Sequence, residues 1–165
     1  MRRMILLAGL IFALGVLVPG SGLAGENGSN LPLKGSSAGP CTTNFATGAA
    51  RCVTTGPSSH FGLSTMEQDI QLIPTGPGTF DWLASWTSTA ANGDQLFGTA
   101  EGAIAFAADG IHSTSVGTFT STGSTGRLEG ATATFEAIAQ CAITSLVPPI
   151  ANSFCEATVV GTMSW

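Results

Sequence analysis

Residues 86–102, WTSTAANGDQLFGTAEG, decide the fold, because they are repeated in outline at residues 119–135, FTSTGSTGRLEGATATF. Aligned without a gap, both segments begin with an aromatic residue followed by Thr-Ser-Thr, and Gly93 falls on Gly126. Asn92-Gly93 is a strong signal for a two-residue type I′ turn, since both central residues of that turn need positive φ. The two segments therefore predict consecutive antiparallel hairpins.

Short β-type runs continue along the rest of the chain, separated by turns rich in Gly, Pro, Asn and Asp. The predicted strands are residues 51–55, 60–73, 79–90, 95–107, 113–121, 128–143 and 154–165. Seven or eight strands at hairpin spacing predict an all-β fold, an antiparallel closed barrel of about eight strands, with a β-sandwich as the alternative. Apolar and small residues alternate to the last residue, so we expect the final strand to pair with an early one and seal the barrel.

The first 24 residues have the features of a secretory signal peptide. Arg2 and Arg3 precede an uncharged apolar run over residues 4–18, and Gly22-Leu23-Ala24 supplies small residues for cleavage. The run is shorter than the roughly 20 residues that a membrane span needs. We therefore expect a signal peptide at 1–24, a flexible Gly/Ser-rich lead-in at 25–40 and one barrel domain at 41–165, located in the periplasm or secreted.

Charge and composition restrict the partners. After cleavage, three basic residues would oppose ten acidic ones, a net charge of −7. Such a surface argues against nucleic acid, which needs clustered Lys and Arg. The chain has no Tyr and three Trp, too few for the aromatic girdles of an outer-membrane barrel, so we expect no stable membrane insertion. No cofactor motif is present, and an oligomer is compatible with these features.

The four cysteines suit an exported protein. Cys41 and Cys52 flank one turn-like segment, while Cys141 and Cys155 flank Pro148-Pro149, as cross-strand partners near the base of a hairpin would. We therefore expect the disulfides Cys41–Cys52 and Cys141–Cys155 among the three connectivities that four cysteines allow. Zinc is the competing interpretation, but there is no CxxC and both histidines lie far from any cysteine in the sequence.

Residues 123–132, GSTGRLEGAT, resemble the glycine-rich hairpin of the allene oxide cyclase and dirigent barrels, and the upstream 91–94 turn with Phe97 and Gly98 is similar to small secreted bacterial proteins with such domains. Ser124 and Leu128 depart from that pattern, where a glycine and an aromatic residue are usual. The resemblance covers roughly residues 60–137. It implies an eight-stranded barrel with an apolar interior, and either cyclisation of an apolar substrate or guidance of its coupling.

The predicted hairpin suggests one candidate site. A two-residue turn at Asn92-Gly93 would place Trp86 opposite Thr99 and put one set of side chains on a common face: Trp82, Trp86, Phe97 and Glu101. If that face lined the lumen, desolvation between two indoles would raise the pKa of Glu101 and suit it to general acid–base chemistry. A register slip would turn Glu101 to solvent instead.

Two functions follow from these observations. The first is a non-catalytic binding or surface module, because the sequence contains no convincing catalytic constellation. The second is an isomerase-like or guiding barrel that takes an apolar small molecule, as the resemblance implies. An open apolar cavity with one or two polar groups, rather than a filled core, is the feature that favours a ligand.

Overall fold

The computed structural model describes residues 30–165, and these residues form eight antiparallel strands in one closed barrel. The strands are β1 (Leu31–Asn44), β2 (Ala49–Ser58), β3 (Gly62–Gly76), β4 (Thr79–Ala90), β5 (Gln95–Phe106), β6 (His112–Ser124), β7 (Thr132–Val147) and β8 (Ile150–Ser164). The predicted signal peptide, residues 1–24, and residues 25–29 lie outside the described part of the chain. In the part described, no helix is long and apolar enough to cross a bilayer.

Each strand is hydrogen-bonded to its neighbours in the sequence, and the first and last strands pair with each other. The pairing of β1 with β8 runs from Leu31 opposite Met163 to Asn44 opposite Ile150. The closed barrel and the sealing role of the last strand are therefore confirmed, and the alternative of a β-sandwich is wrong.

The prediction of a flexible lead-in at residues 25–40 is wrong for residues 31–40, which belong to β1. Their small side chains suit a tightly curved wall rather than a linker. A Cβ added to Gly39 would lie 2.1 Å from the carbonyl oxygen of Val53 on β2, so the two backbones approach too closely for any side chain there.

The predicted turn at Asn92-Gly93 is one residue too short. The N–H of Ala90 donates to the carbonyl of Asp94 at 2.9 Å, which leaves a three-residue loop, and only Gly93 in that loop has positive φ (88°). Trp86 consequently pairs with Gly98 and not with Thr99. Because side chains alternate along a strand, this slip reverses the face of every β5 residue.

Aromatic side chains fill the middle of the barrel. In β4, Trp82, Ala84 and Trp86 point inward and are buried, while Leu83 and Ser85 between them point outward. Trp86 packs edge-on against Phe135 with ring centroids 5.4 Å apart, and Phe119 stacks on Phe135 at 4.9 Å. Such aromatic pairs add specific geometry to the large apolar area that they bury.

Two glycines provide the space for Trp82. Gly102 on β5 and Gly117 on β6 form a cross-strand pair beneath the indole. A Cβ added to Gly117 would lie 2.2 Å from Cζ2 of Trp82, and one added to Gly102 would lie 2.6 Å from the same atom. Because these two positions carry no side chains, the indole of Trp82, on the adjacent strand β4, can lie against the backbone of β5 and β6.

The β6–β7 connection closes the end of the barrel where β1 starts. Leu128 was expected to begin a strand, but it lies in a 3-10 turn at Gly126–Leu128 and is buried, and β7 begins at Thr132. The carboxylate of Asp94 accepts a hydrogen bond from the backbone N–H of Arg127 at 3.2 Å. The two hairpin segments that first indicated the fold thus contact each other at this end.

Candidate functional site

A cavity of about 120 Å³ lies inside the barrel, at the end that carries the two disulfides. Its larger apolar lining residues include Ile70, Leu72, Trp82, Ile104 and Phe119. The opposite wall is built from small residues, because β7 and β8 turn alanines inward: Ala137, Ala139, Ala151 and Ala157. The space exists because large side chains on β3–β6 face alanines, which do not fill the remaining width of the lumen.

Both predicted disulfides are present and form part of the cavity wall. Cys41 lies directly opposite Cys52, and Cys141 directly opposite Cys155, with Cα atoms 4.1 Å apart in each pair. The two bridges also contact each other, since the Sγ atoms of Cys41 and Cys155 are 3.5 Å apart across the β1–β8 seam. Four polarisable sulfur atoms therefore form one continuous surface inside the barrel.

Three phenylalanines gather where the cavity approaches solvent. Phe45, Phe80 and Phe106 form a triangle with ring centroids 6.1–6.5 Å apart. Phe45 lies in the β1–β2 turn, is 38% exposed, and its N–H donates to the carbonyl of Pro149 at 2.9 Å. Phe45 and Phe106 line the cavity directly, so this aromatic cluster forms its outer wall.

The two indole N–H groups in the lumen already have partners within the protein. The indole N–H of Trp82 donates to the hydroxyl of Ser115 at 3.1 Å, and that of Trp86 donates to the carbonyl of Thr99 at 3.0 Å. The tryptophans therefore offer only apolar ring surface to a ligand. Among the described residues, Thr54 differs, because its hydroxyl oxygen is buried without a hydrogen-bond partner.

Two of the four predicted site residues line interior cavities, and two do not. Trp82 lines the 120 Å³ cavity and Trp86 lines a second interior cavity of about 60 Å³. Phe97 and Glu101 point outward, because the β4–β5 register differs by one residue from the predicted one. Phe97 covers Gly123, and Glu101 is exposed. The prediction that Glu101 is buried between two indoles is therefore wrong, and its acid–base role depended on that burial.

Sequence reasoning missed Thr54. It lies two residues after Cys52 in a segment that was predicted to be a strand, so its inward face could have been inferred from the buried disulfide. Its lack of a partner could not have been inferred, because that depends on what the neighbouring strands place beside it.

A wider depression lies on the outer face of the barrel, across β1–β6. Its volume is about 1160 Å³, but it is open to solvent, and its charged members include Arg51, Asp69 and Glu101. Arg51 forms ion pairs with Glu67 and Asp69 in which every side chain is more than half exposed. Exposed pairs of this kind contribute little stability, and an open surface encloses little of a small ligand. The interior cavity is therefore the better candidate site.

No group of three or more His, Cys, Asp and Glu side chains in residues 30–165 is arranged to hold a metal ion. Comparison with protein-family models, with curated proteins and with solved structures finds no match to this chain. The resemblance to the allene oxide cyclase and dirigent barrels consequently stays a prediction, and the function must be argued from the cavity.

The β5–β6 turn contains a pH-sensitive contact. One carboxylate oxygen of Asp109 lies 2.7 Å from Nδ1 of His112, and the other accepts the backbone N–H groups of Ile111 and His112 at 2.8 and 3.0 Å. The hydrogen bonds from His112, followed by the one from Ile111, hold the pKa of Asp109 well below its usual range.

A lowered pKa stabilises the folded state at pH values above the ordinary pKa of Asp, about 3.9. This contribution is lost as the pH falls toward the pKa that Asp109 has in the folded protein. We expect Asp109→Asn to be less stable than the parent near pH 6, and the difference to shrink below about pH 4. Urea denaturation of both proteins across this pH range measures it. A difference that is constant with pH would contradict the assignment.

Proposed function

We propose that this protein is an exported, non-catalytic barrel that binds a small apolar molecule in the cavity at its disulfide end. The observation that carries the proposal is the 120 Å³ interior space between aromatic rings, alanines and two disulfides. Interior packing normally leaves few voids larger than a water molecule. An engineered cavity of about 150 Å³ with apolar walls binds benzene, so this space suits a molecule of about that size.

Binding rather than catalysis is supported by the chemistry of the lining. The cavity-lining residues are apolar, sulfur-containing, hydroxyl or amide side chains, and none of them is ionisable in the disulfide-bonded protein. A cyclisation or other proton-transfer reaction needs a positioned acid or base at the substrate. The allene oxide cyclase-like or dirigent-like activity is therefore the weaker proposal, and no observation on the cavity favours it specifically.

Export is supported by the cysteines. Both disulfides are formed, which is typical of proteins outside the cytoplasm. The acidic composition supports a partner that is neither a nucleic acid nor an anionic surface. We therefore place the proposed ligand among uncharged, apolar small molecules of the extracytoplasmic space.

Toluene binding to the oxidised protein tests this proposal. We expect saturable binding by isothermal titration calorimetry and a rise in unfolding temperature with toluene concentration. Ala139→Phe fills the cavity and should abolish both effects, whereas Ala103→Phe makes the same change on the exposed outer face and should leave them unchanged. Native mass spectrometry of protein from its own host would show whether a ligand is retained.

The proposal fails if toluene and benzene show no saturable binding to a correctly oxidised protein. It also fails if Ala139→Phe, with a folded circular dichroism spectrum, binds toluene as tightly as the parent, since the binding site would then lie elsewhere.

A further inference from the structure

The hydroxyl of Thr54 is an unusual feature of the lumen. Thr54 is 5% exposed, and its Oγ1 has no hydrogen-bond partner. Buried polar groups in proteins are nearly always hydrogen-bonded, because a group withdrawn from water without a partner destabilises the fold. An unpartnered hydroxyl at this position therefore calls for an explanation.

The neighbouring strands explain why no protein group reaches it. Thr54 lies beside Gly39 of β1, which has no side chain, and pairs in register with Met66 on β3. The thioether of Met66 already lies 3.4 Å from the side-chain amide nitrogen of Gln68, which donates to it. Neither of these two neighbours of Thr54 thus offers a free hydrogen-bonding group, and the backbone groups around it belong to the sheet.

The position of Thr54 in the lumen provides the space for an external partner. Thr54 and Ser37 line both interior cavities, the one of about 120 Å³ and the one of about 60 Å³. Thr54 therefore lies where the two spaces adjoin. A molecule in the larger cavity that reaches this residue keeps its hydrocarbon part against Trp82 and Phe119.

We propose that Thr54 determines the ligand class of the cavity, by exchanging a hydrogen bond with the single hydroxyl or carbonyl oxygen of an otherwise apolar molecule. This inference rests on the proposed function, since it names the chemistry that the same cavity selects. The rest of the ligand lies against the aromatic rings, the alanines and the disulfide sulfurs. A pure hydrocarbon of the same shape fits the walls but leaves Thr54 unpartnered.

Phenol and toluene, which differ only in a hydroxyl and a methyl group, test this selectivity with Thr54→Val. Valine keeps the shape of threonine and removes the hydroxyl. We expect the variant to bind phenol about tenfold more weakly, because one buried hydrogen bond is lost, and to bind toluene at least as tightly as the parent. Thr54→Ser retains the hydroxyl and should keep the preference for phenol.

The same substitution outside the lumen provides the control. Thr99 is exposed on the outer face of β5, and Thr99→Val should change neither affinity. Without ligand, Thr54→Val should unfold at a higher temperature than the parent, because an unpartnered buried hydroxyl has been replaced by a methyl group.

Each result decides between the alternatives. If Thr54→Val weakens phenol and toluene equally, or neither, Thr54 does not select the ligand, and the inference is wrong although the cavity still binds. A ligand-free Thr54→Val that unfolds at a lower temperature would show that the hydroxyl already has a partner, such as an ordered water, and would also overturn it. If the parent binds neither probe, the proposed function itself fails.

Discussion

Trp86→Ala is expected to lower the free energy of unfolding by about 3–5 kcal/mol, the range typical of removing a large aromatic side chain from a packed core. Trp86 is 2% exposed, and its ring packs edge-on against both Phe119 and Phe135. The substitution also leaves the carbonyl of Thr99 without the indole N–H that it accepts. Both losses occur at the centre of the barrel. Phe119 and Phe135 cannot move into the space left by the indole without losing their stacking on each other.

Urea denaturation followed by circular dichroism measures this loss without depending on tryptophan emission. Leu83→Ala is the matched control, because Leu83 lies on the same strand but points outward and is half exposed, so we expect a change of about 0.5 kcal/mol or less. Comparable losses for the two variants would mean that β4 does not present its tryptophans to the core.

Removal of either disulfide by paired alanine substitution is expected to lower the free energy of unfolding by about 2–4 kcal/mol. The bridges close loops of 11 and 14 residues, and in the chain-entropy account a cross-link of this length restricts mainly the unfolded chain. The cysteines are also packed in the lumen, so their removal takes sulfur contacts from the cavity wall.

The two losses should not add, because the sulfur atoms of Cys41 and Cys155 are in contact. We expect the protein without both disulfides to differ from the sum of the two paired variants by about 0.5 kcal/mol or more. A urea series on the parent, both paired variants and the fourfold variant gives this coupling. Additive losses would show that the bridges act independently despite their contact.

Much of the barrel could be predicted from local pattern. The alternation in residues 79–90 predicted β4 with its bounds, and the placement of cysteines around two hairpins predicted both disulfides. These features depend on residues that are close in the sequence, where side-chain period and turn geometry act directly.

The errors arose where the barrel as a whole overrides the local pattern. Residues 31–40 have the composition of a linker. In the barrel, however, small residues such as Gly39 are needed where the backbones of neighbouring strands approach each other closely. The β4–β5 register depended on whether Asn92 takes positive φ, and one residue of difference moved Glu101 from the lumen to the surface. The isolation of Thr54 required knowing which residues of β1 and β3 lie beside it.

The pairing of the first strand with the last has a consequence for how the protein reaches its folded state. Leu31 finds its partner Met163 only when nearly the whole chain is available, so β1 has one hydrogen-bonded neighbour until β8 arrives. Every partly assembled sheet therefore has two open edges that can join another chain. Sheets dominated by such distant contacts form slowly, and the stage before β8 docks is when this protein is most exposed to aggregation.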